Sequence, residues 1–239
     1  MEQSDSQSSG SITQFYAPRL EAYDEMYAGQ GEMLPHWQAL MQELDQLGRE
    51  GLERRLMEAQ RLLRENGVTF NIYDGLRGMA RPWQLDPIPL FISAEEWSVI
   101  EAGLMQRAEL LNLILTDIYG PQQLLQEGLL PPELVFGHAG FQRSCVGTIP
   151  AGKRSLIISS SNLARGPDGR MWVIDDRAQS PSGAGYALEN RRVMTRLAPG
   201  LFRDCHVRRL AGFFQPMRDR LAQLAPQNRE DPRIVVLTP

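Results

Sequence analysis

The sequence predicts an α/β fold, in the α+β sense of a helical N-terminal region packed on a sheet that contains a hairpin. Three observations predict it. Apolar residues recur at spacings of three and four over residues 34–65 and 93–119, the period of amphipathic helices. From Ser155 the period changes to two, as in strands. The triplet Pro167-Asp168-Gly169, a strong turn former, lies between two such runs. Together they divide the chain into a polar tail at 1–19, a mainly helical region at 20–150 and a sheet-bearing region at 151–239.

The elements follow in order. The start, MEQSDSQSSGSITQ, is polar and acidic and has too little apolar content to fold. It also lacks the basic start and apolar middle of a signal peptide. Leu34 to Gly48 reads as a helix with Trp37, Leu40, Met41, Leu44 and Leu47 on one face. Glu50 to Glu65 continues helically until Asn66-Gly67 stops it. Val68 to Tyr73 alternates as a strand. The prolines of Arg81-Pro82-Trp83 and Asp86-Pro87-Ile88-Pro89 favour extended backbone, so Leu90 to Ile92 is at most a short edge strand. Ser93 with Glu96 forms a capping-box pattern, and Leu104, Ala108, Leu111 and Leu115 line the buried face of the helix that follows. Tyr119-Gly120-Pro121 ends it. Leu156 to Ser160 and Met171 to Ile174 read as the two strands of a hairpin, with Asp175 and Asp176 at its exit. Ala187 to Arg196 is helical, and a second helix follows over Val207 to Leu224, kinked at Pro216. Arg233 to Leu237 is a closing apolar strand without a cap, so the natural chain is expected to continue beyond Pro239.

Composition narrows the function. Hydrophobic content of 42% and charged content of 23% fit a globular protein with a real core. A net charge of −4 argues against a general nucleic-acid binder, and no apolar run approaches the ~20 residues of a membrane helix. Cys145 and Cys205 make no redox or metal motif and read as two buried free thiols in a reducing cytoplasm. His36, His138 and His206 make no ligand pattern, and no serine or cysteine sits in a nucleophile-elbow context.

The hairpin acids are the first candidates for chemistry. Two carboxylates and an amide near one strand end can hold Mg²⁺ through oxygen while water and phosphate complete the shell. The plainer alternative is an Asp176–Arg177 pair or a loop cap. Ser182-Gly183-Ala184-Gly185 can set backbone N–H groups against an anion, or be a tight turn needing positive φ. It is neither a Walker motif nor a dinucleotide fingerprint. Arg165 can reach a phosphate with its fork, or be a solvated hairpin charge. The eight arginines from Arg191 to Arg220, against Asp204 and Asp219, form either an anionic-substrate surface or the wet face of helices.

Further stretches carry a resemblance. They are YDEMY at Tyr23–Tyr27, His36-Trp37, RPWQLDPIPLFIS at Arg81–Ser93, Glu96-Trp97, QRAELLN at Gln106–Asn112 and DIYG at Asp117–Gly120. LARGPDG, DRAQSPSGAGYALENR and the closing VVLTP complete the set. The chain resembles the N-terminal half of circularly permuted ATP-grasp type 2 proteins, relatives of glutathionylspermidine synthase. The resemblance implies an ATP-dependent carboxylate–amine ligase, with ATP and Mg²⁺ as cofactors, that forms an amide or peptide-type bond through an acyl phosphate. It implies Asp176 as the metal-binding acid, with Asp175 as second choice, Gln179 as the amide, and Asn162 where the family has aspartate. Ser182, Gly183 and Gly185 would contact nucleotide, and Arg165 and Arg191 would serve as the catalytic cations. The implied partners are a small carboxylate or peptide substrate and an amine acceptor, in the cytoplasm, with no nucleic acid and no membrane. Family members continue past Pro239, and the lysines that clamp nucleotide lie in that second half. Residues 1–239 alone are therefore expected to lack ligase activity, to bind ATP weakly and to self-associate through the terminal strand. The alternative is a truncated, non-catalytic partner module.

Overall fold

The computed structural model describes residues 16–17, 21–28, 31–72, 79–148, 154–225 and 231–235. In chain order its elements are β1 (Tyr27–Ala28), β2 (Glu32–Met33), α1 (Pro35–Glu65), β3 (Thr69–Ile72), β4 (Met79–Pro82), α2 (Ala94–Tyr119), α3 (Gln123–Gln126) and α4 (Pro132–Phe136). A 3-10 turn at Arg143–Cys145 precedes β5 (Ser160–Arg165), β6 (Met171–Arg177), α5 (Ala184–Leu197), α6 (Pro199–Asp204) and α7 (Ala211–Gln223). Among the described residues, helices alternate with three two-stranded sheets, β1-β2, β3-β4 and β5-β6, which is an α+β arrangement. The chain divides into two compact units, 1–93 with 165–172 and 183–210, and 94–164 with 173–182 and 211–239. The expected boundary at residue 150 falls inside the second unit.

In the first unit α1 packs on α5 and α6. Met26, Trp37, Leu40, Met41, Leu44, Ala198 and Leu201 form one apolar cluster, with the Trp37 ring edge-on to Phe91 at 5.5 Å. Ala59, Leu62, Leu63, Val193, Met194 and Leu197 form the other. The two predicted helical stretches are one α1 with a break at Gly48, whose φ of 61° no helix admits. α1 ends in a Schellman cap: Gly67 has φ 67°, its N–H bonds Arg64 C=O at 3.0 Å, and Val68 N–H bonds Leu63 C=O at 2.9 Å. β3 and β4 pair antiparallel from Thr69↔Pro82 to Ile72↔Met79.

In the second unit α2 begins directly after Ser93, where the capping-box pattern placed it. Its predicted inner face, Leu104, Ala108, Leu111 and Leu115, is half-buried. Asn112 is its one buried residue among those described.

Several strand expectations need correction. The first hairpin strand starts at Ser160, and Leu156–Ser159 has no regular structure. At Leu156, the expected start of the strand, the N–H is bonded instead to the Asn112 side-chain oxygen, which also accepts Ser155 N–H, both at 3.1 Å. β6 runs on through both acids to Arg177, so these lie within the strand and not at its exit. Residues 90–92 and 233–235 form no strand, while 236–239 lie outside the described residues. The last long helix begins at Ala211, not Val207, and contains Pro216. Cys145 is exposed and Cys205 half-buried, rather than both buried.

Candidate functional site

The hairpin β5–β6 turns where the sequence placed its turn. Gly169 N–H bonds Gly166 C=O at 2.9 Å, Gly166 N–H bonds Arg170 C=O at 2.8 Å, and Gly169 takes φ 79°. The Asp168 carboxylate accepts Arg170 N–H at 3.1 Å. From that turn the period of two fixes where each acid points, because successive strand side chains face opposite ways.

The two acids accordingly separate. Asp176 accepts the Ser161 hydroxyl at 2.7 Å on Oδ1 and Arg107 Nε at 2.6 Å on Oδ2. Asp175 accepts Asn162 Nδ2 at 2.9 Å. Asp176 with Ser161 and Asp175 with Asn162 are two distinct pairs, and Asn162 is not joined to Asp176. The Asp176 side chain is only 12% exposed, whereas Arg107 is 45% exposed. Burial pushes the Asp176 carboxyl upward, but the Ser161 hydroxyl and the Arg107 guanidinium outweigh it, so it stays ionised below the ordinary carboxylate range. Gln179 is exposed, and its side-chain oxygen lies 3.6 Å from where a Cβ on Gly140 would stand.

The hairpin base is anchored to α2 within the second unit. Besides the Asn112 bonds, the hydroxyls of Thr116 and Ser155 lie 3.1 Å apart. Arg107 and Asn112 both come from the QRAELLN segment. Arg107, Ser161 and Asn112 were not singled out by sequence reasoning. Arg107 and Asp176 are 69 residues apart, and nothing local in the sequence pairs them.

The remaining candidates lie in the first unit, apart from Ser182. Arg165 donates from Nε to Glu25 at 2.5 Å and from Nη1 to Gly169 C=O at 2.7 Å, and its guanidinium carbon lies 4.9 Å from the Tyr23 ring centre. With its side chain 9% exposed, it is held by the YDEMY segment. Arg191 lies over Phe202, 5.6 Å from the ring centre, and burial lowers its pKa. Ser182 is exposed. Gly183, at φ 114°, caps the start of α5 without a side-chain bond. Gly185 falls in the first turn of α5, where no atom stands within 4 Å of a Cβ added to it, so a ligand could approach the backbone. The first helical bond there is Ala187 N–H to Gly183 C=O at 2.9 Å, leaving the amides of the first turn without helical acceptors.

The residue chemistry fits a hard cation. Carboxylate, hydroxyl and amide oxygens suit Mg²⁺, which keeps several waters or phosphates of its own. Among the described residues no three His, Cys, Asp or Glu side chains could hold a metal together. Among the described residues no helix is long and apolar enough to cross a membrane.

Comparison with known proteins places the chain in a family. The family profile of circularly permuted ATP-grasp type 2 matches residues 89–239. An uncharacterized protein of Mycobacterium tuberculosis is 39% identical over 225 residues, covering 91% of this chain and 26% of that protein. One from Synechocystis is 36% identical over 217 residues, covering 91% and 45%. One from Mycobacterium leprae is 36% identical over 218 residues, covering 91% and 38%. The chain thus spans between about a quarter and less than half of the length of these relatives. With more than half of its residues matched, the chain belongs to the circularly permuted ATP-grasp type 2 family.

Proposed function

We propose that the chain contributes the metal-binding hairpin of an ATP-dependent carboxylate–amine ligase. The observation that carries this reading is the ionised, mostly buried Asp176 carboxylate, held at a defined place on β6 in a chain of ATP-grasp ancestry. Asp176 is the first metal ligand in this reading, and Gln179 adds an amide oxygen. Asp175 with Asn162 is a second oxygen pair. Asn162 replaces a carboxylate by a neutral amide, which lowers the charge offered to a cation. Asp176 and Gln179 would hold a divalent cation, which would neutralise charge on the phosphoryl group. Ser182, Gly183 and Gly185 present main-chain N–H groups to phosphate. Arg191 offers a guanidinium to developing negative charge, and Arg165 does so after releasing Glu25. A carboxylate, small or peptide-borne, takes the γ-phosphoryl group of ATP as ADP leaves, and an amine then displaces phosphate from the acyl phosphate and loses a proton as the amide forms. The setting proposed is the cytoplasm.

The test is thermal. In the full-length protein, Mg²⁺ and ATP together are expected to raise the unfolding midpoint, since a ligand at ~100 times its Kd adds about 2.7 kcal/mol. Asp176→Asn should abolish that rise while leaving the unliganded midpoint within a few degrees. In a turnover assay of ADP release by the full-length protein the same change should cost about 100-fold or more. A wild-type protein whose midpoint ignores Mg²⁺ and ATP would favour a non-catalytic partner module instead.

A further inference from the structure

Both oxygens of Asp176 are engaged, one by a neutral hydroxyl and one by a cation. The two partners differ in how readily they leave. Ser161 sits on β5, directly in the hairpin. Arg107 reaches Asp176 through Nε from a long side chain that is 45% exposed. Water can therefore take up the freed guanidinium, whereas Asp176, only 12% exposed, needs another cation in its place. The backbone need not move when it opens, because Asn112, five residues on, is buried and keeps the Ser155 and Leu156 N–H groups bound to α2. We propose that Arg107 is a positioning residue that acts as a resident counterion: it holds Asp176 while no divalent cation is bound, yields the carboxylate when one arrives, and then turns its guanidinium to a phosphate oxygen of the nucleotide. This inference rests on Asp176 being a metal ligand. It explains why the chain spends an arginine on an acid that a neutral donor already orients. A divalent ion outcompetes a single positive charge at the same oxygen, and the freed arginine fork suits phosphate.

The experiment separates the inference from the reading beneath it. Mn²⁺ alone is titrated into wild type, Arg107→Gln, Arg107→Lys and Asp176→Asn, with free Mn²⁺ read by electron paramagnetic resonance. ATP affinity is then measured at saturating Mg²⁺. Arg107→Gln should bind Mn²⁺ about threefold or more tighter, because a competing charge is gone. The same variant should bind ATP at least threefold more weakly. Arg107→Lys, which keeps the charge, should stay close to wild type in Mn²⁺ affinity. A merely structural Arg107 would not move the two affinities in opposite directions. Unchanged or weaker Mn²⁺ binding in Arg107→Gln, with binding lost in Asp176→Asn, overturns the role of Arg107 alone. Tighter Mn²⁺ binding with undiminished ATP affinity overturns the transfer to phosphate. Equal Mn²⁺ binding in wild type and Asp176→Asn overturns the metal-ligand reading, and no Mn²⁺ binding in wild type or Arg107→Gln overturns both. Arg107→Met, which keeps the aliphatic stem on α2, replaces Arg107→Gln if that variant unfolds.

Discussion

A carboxylate that is mostly buried stays charged only if its partners outweigh the loss of water, and at Asp176 Ser161 and Arg107 do so. The sign of the consequence is fixed. The unfolded chain takes up the proton near the ordinary aspartate value of about 3.9, and the folded chain only below it. The contribution of Asp176 to stability is therefore complete above about pH 4 and is lost as pH falls through the lower folded value. Urea unfolding between pH 3 and 6 should show wild type losing stability faster than Asp176→Asn below about pH 4; parallel curves would remove the ion pair from the folded state. Asn112 makes a different prediction. One side-chain oxygen satisfies two backbone N–H groups, one buried and one half-buried, so Asn112→Leu should cost about 1–3 kcal/mol in urea unfolding, the penalty for orphaning a buried donor. Other residues within the family stretches hold the fold. Asp117 accepts the N–H groups of Gln123 and Leu124 at 2.9 and 3.0 Å, which starts α3. Trp83 stacks on Tyr186 with ring centres 4.3 Å apart and donates to Asn190 at 2.7 Å, tying the segment after β4 to α5.

At the scale of elements, the hairpin and the end of α1 both depend on one left-handed residue. Gly67 and Gly169 have φ near +67° and +79°, where an L side chain costs about 1–2 kcal/mol. Their surroundings differ. Nothing stands within 4 Å of a Cβ added at Gly67, while one at Gly169 would meet the Tyr23 ring at 2.6 Å. Gly67→Ala should therefore cost only the backbone term. Gly169→Ala should cost clearly more and also disturb the Tyr23–Arg165 contact. Differential scanning calorimetry of the pair checks this, and equal losses would mean that the Tyr23 ring yields freely. The hairpin is also where reading the sequence came closest. Period two and Pro167-Asp168-Gly169 placed the turn and the start of β6 correctly. They placed the start of β5 too early, at Leu156, whose N–H is bonded to Asn112 on another element.

At the scale of the whole molecule, the apolar core is unevenly shared. Both buried clusters belong to the first unit, whereas the second has Val135 and Leu156 as its buried apolar residues among those described. On α2, Val99, Leu110 and Leu113 are 74%, 55% and 57% exposed, and their spacings of eleven and three set them along one stripe. An exposed apolar stripe favours association. The stripe makes α2 a second candidate, beside the terminal segment, for self-association. Light scattering of Leu110→Glu with Leu113→Glu should show a smaller species than wild type at an unchanged unfolding midpoint. A wild type that stays monomeric at high concentration would refute this.

The sequence by itself determined what depends on neighbours a few residues apart. The 3.6 period placed α1 and α2, Asn66-Gly67 set the C-cap, the period of two placed β6, and the ordered stretches from YDEMY to VVLTP pointed to the family. Tertiary structure decided which charges meet. It gave Asp176 to Arg107 and Ser161, Asp175 to Asn162, and Arg165 to Glu25 across 140 residues. Periodicity fixes the face from which a side chain leaves its element, but a long-range ion pair is set by how separate segments pack. A residue's identity reveals its chemistry; only its packed neighbours determine whether that chemistry is spent on the fold or left for a ligand.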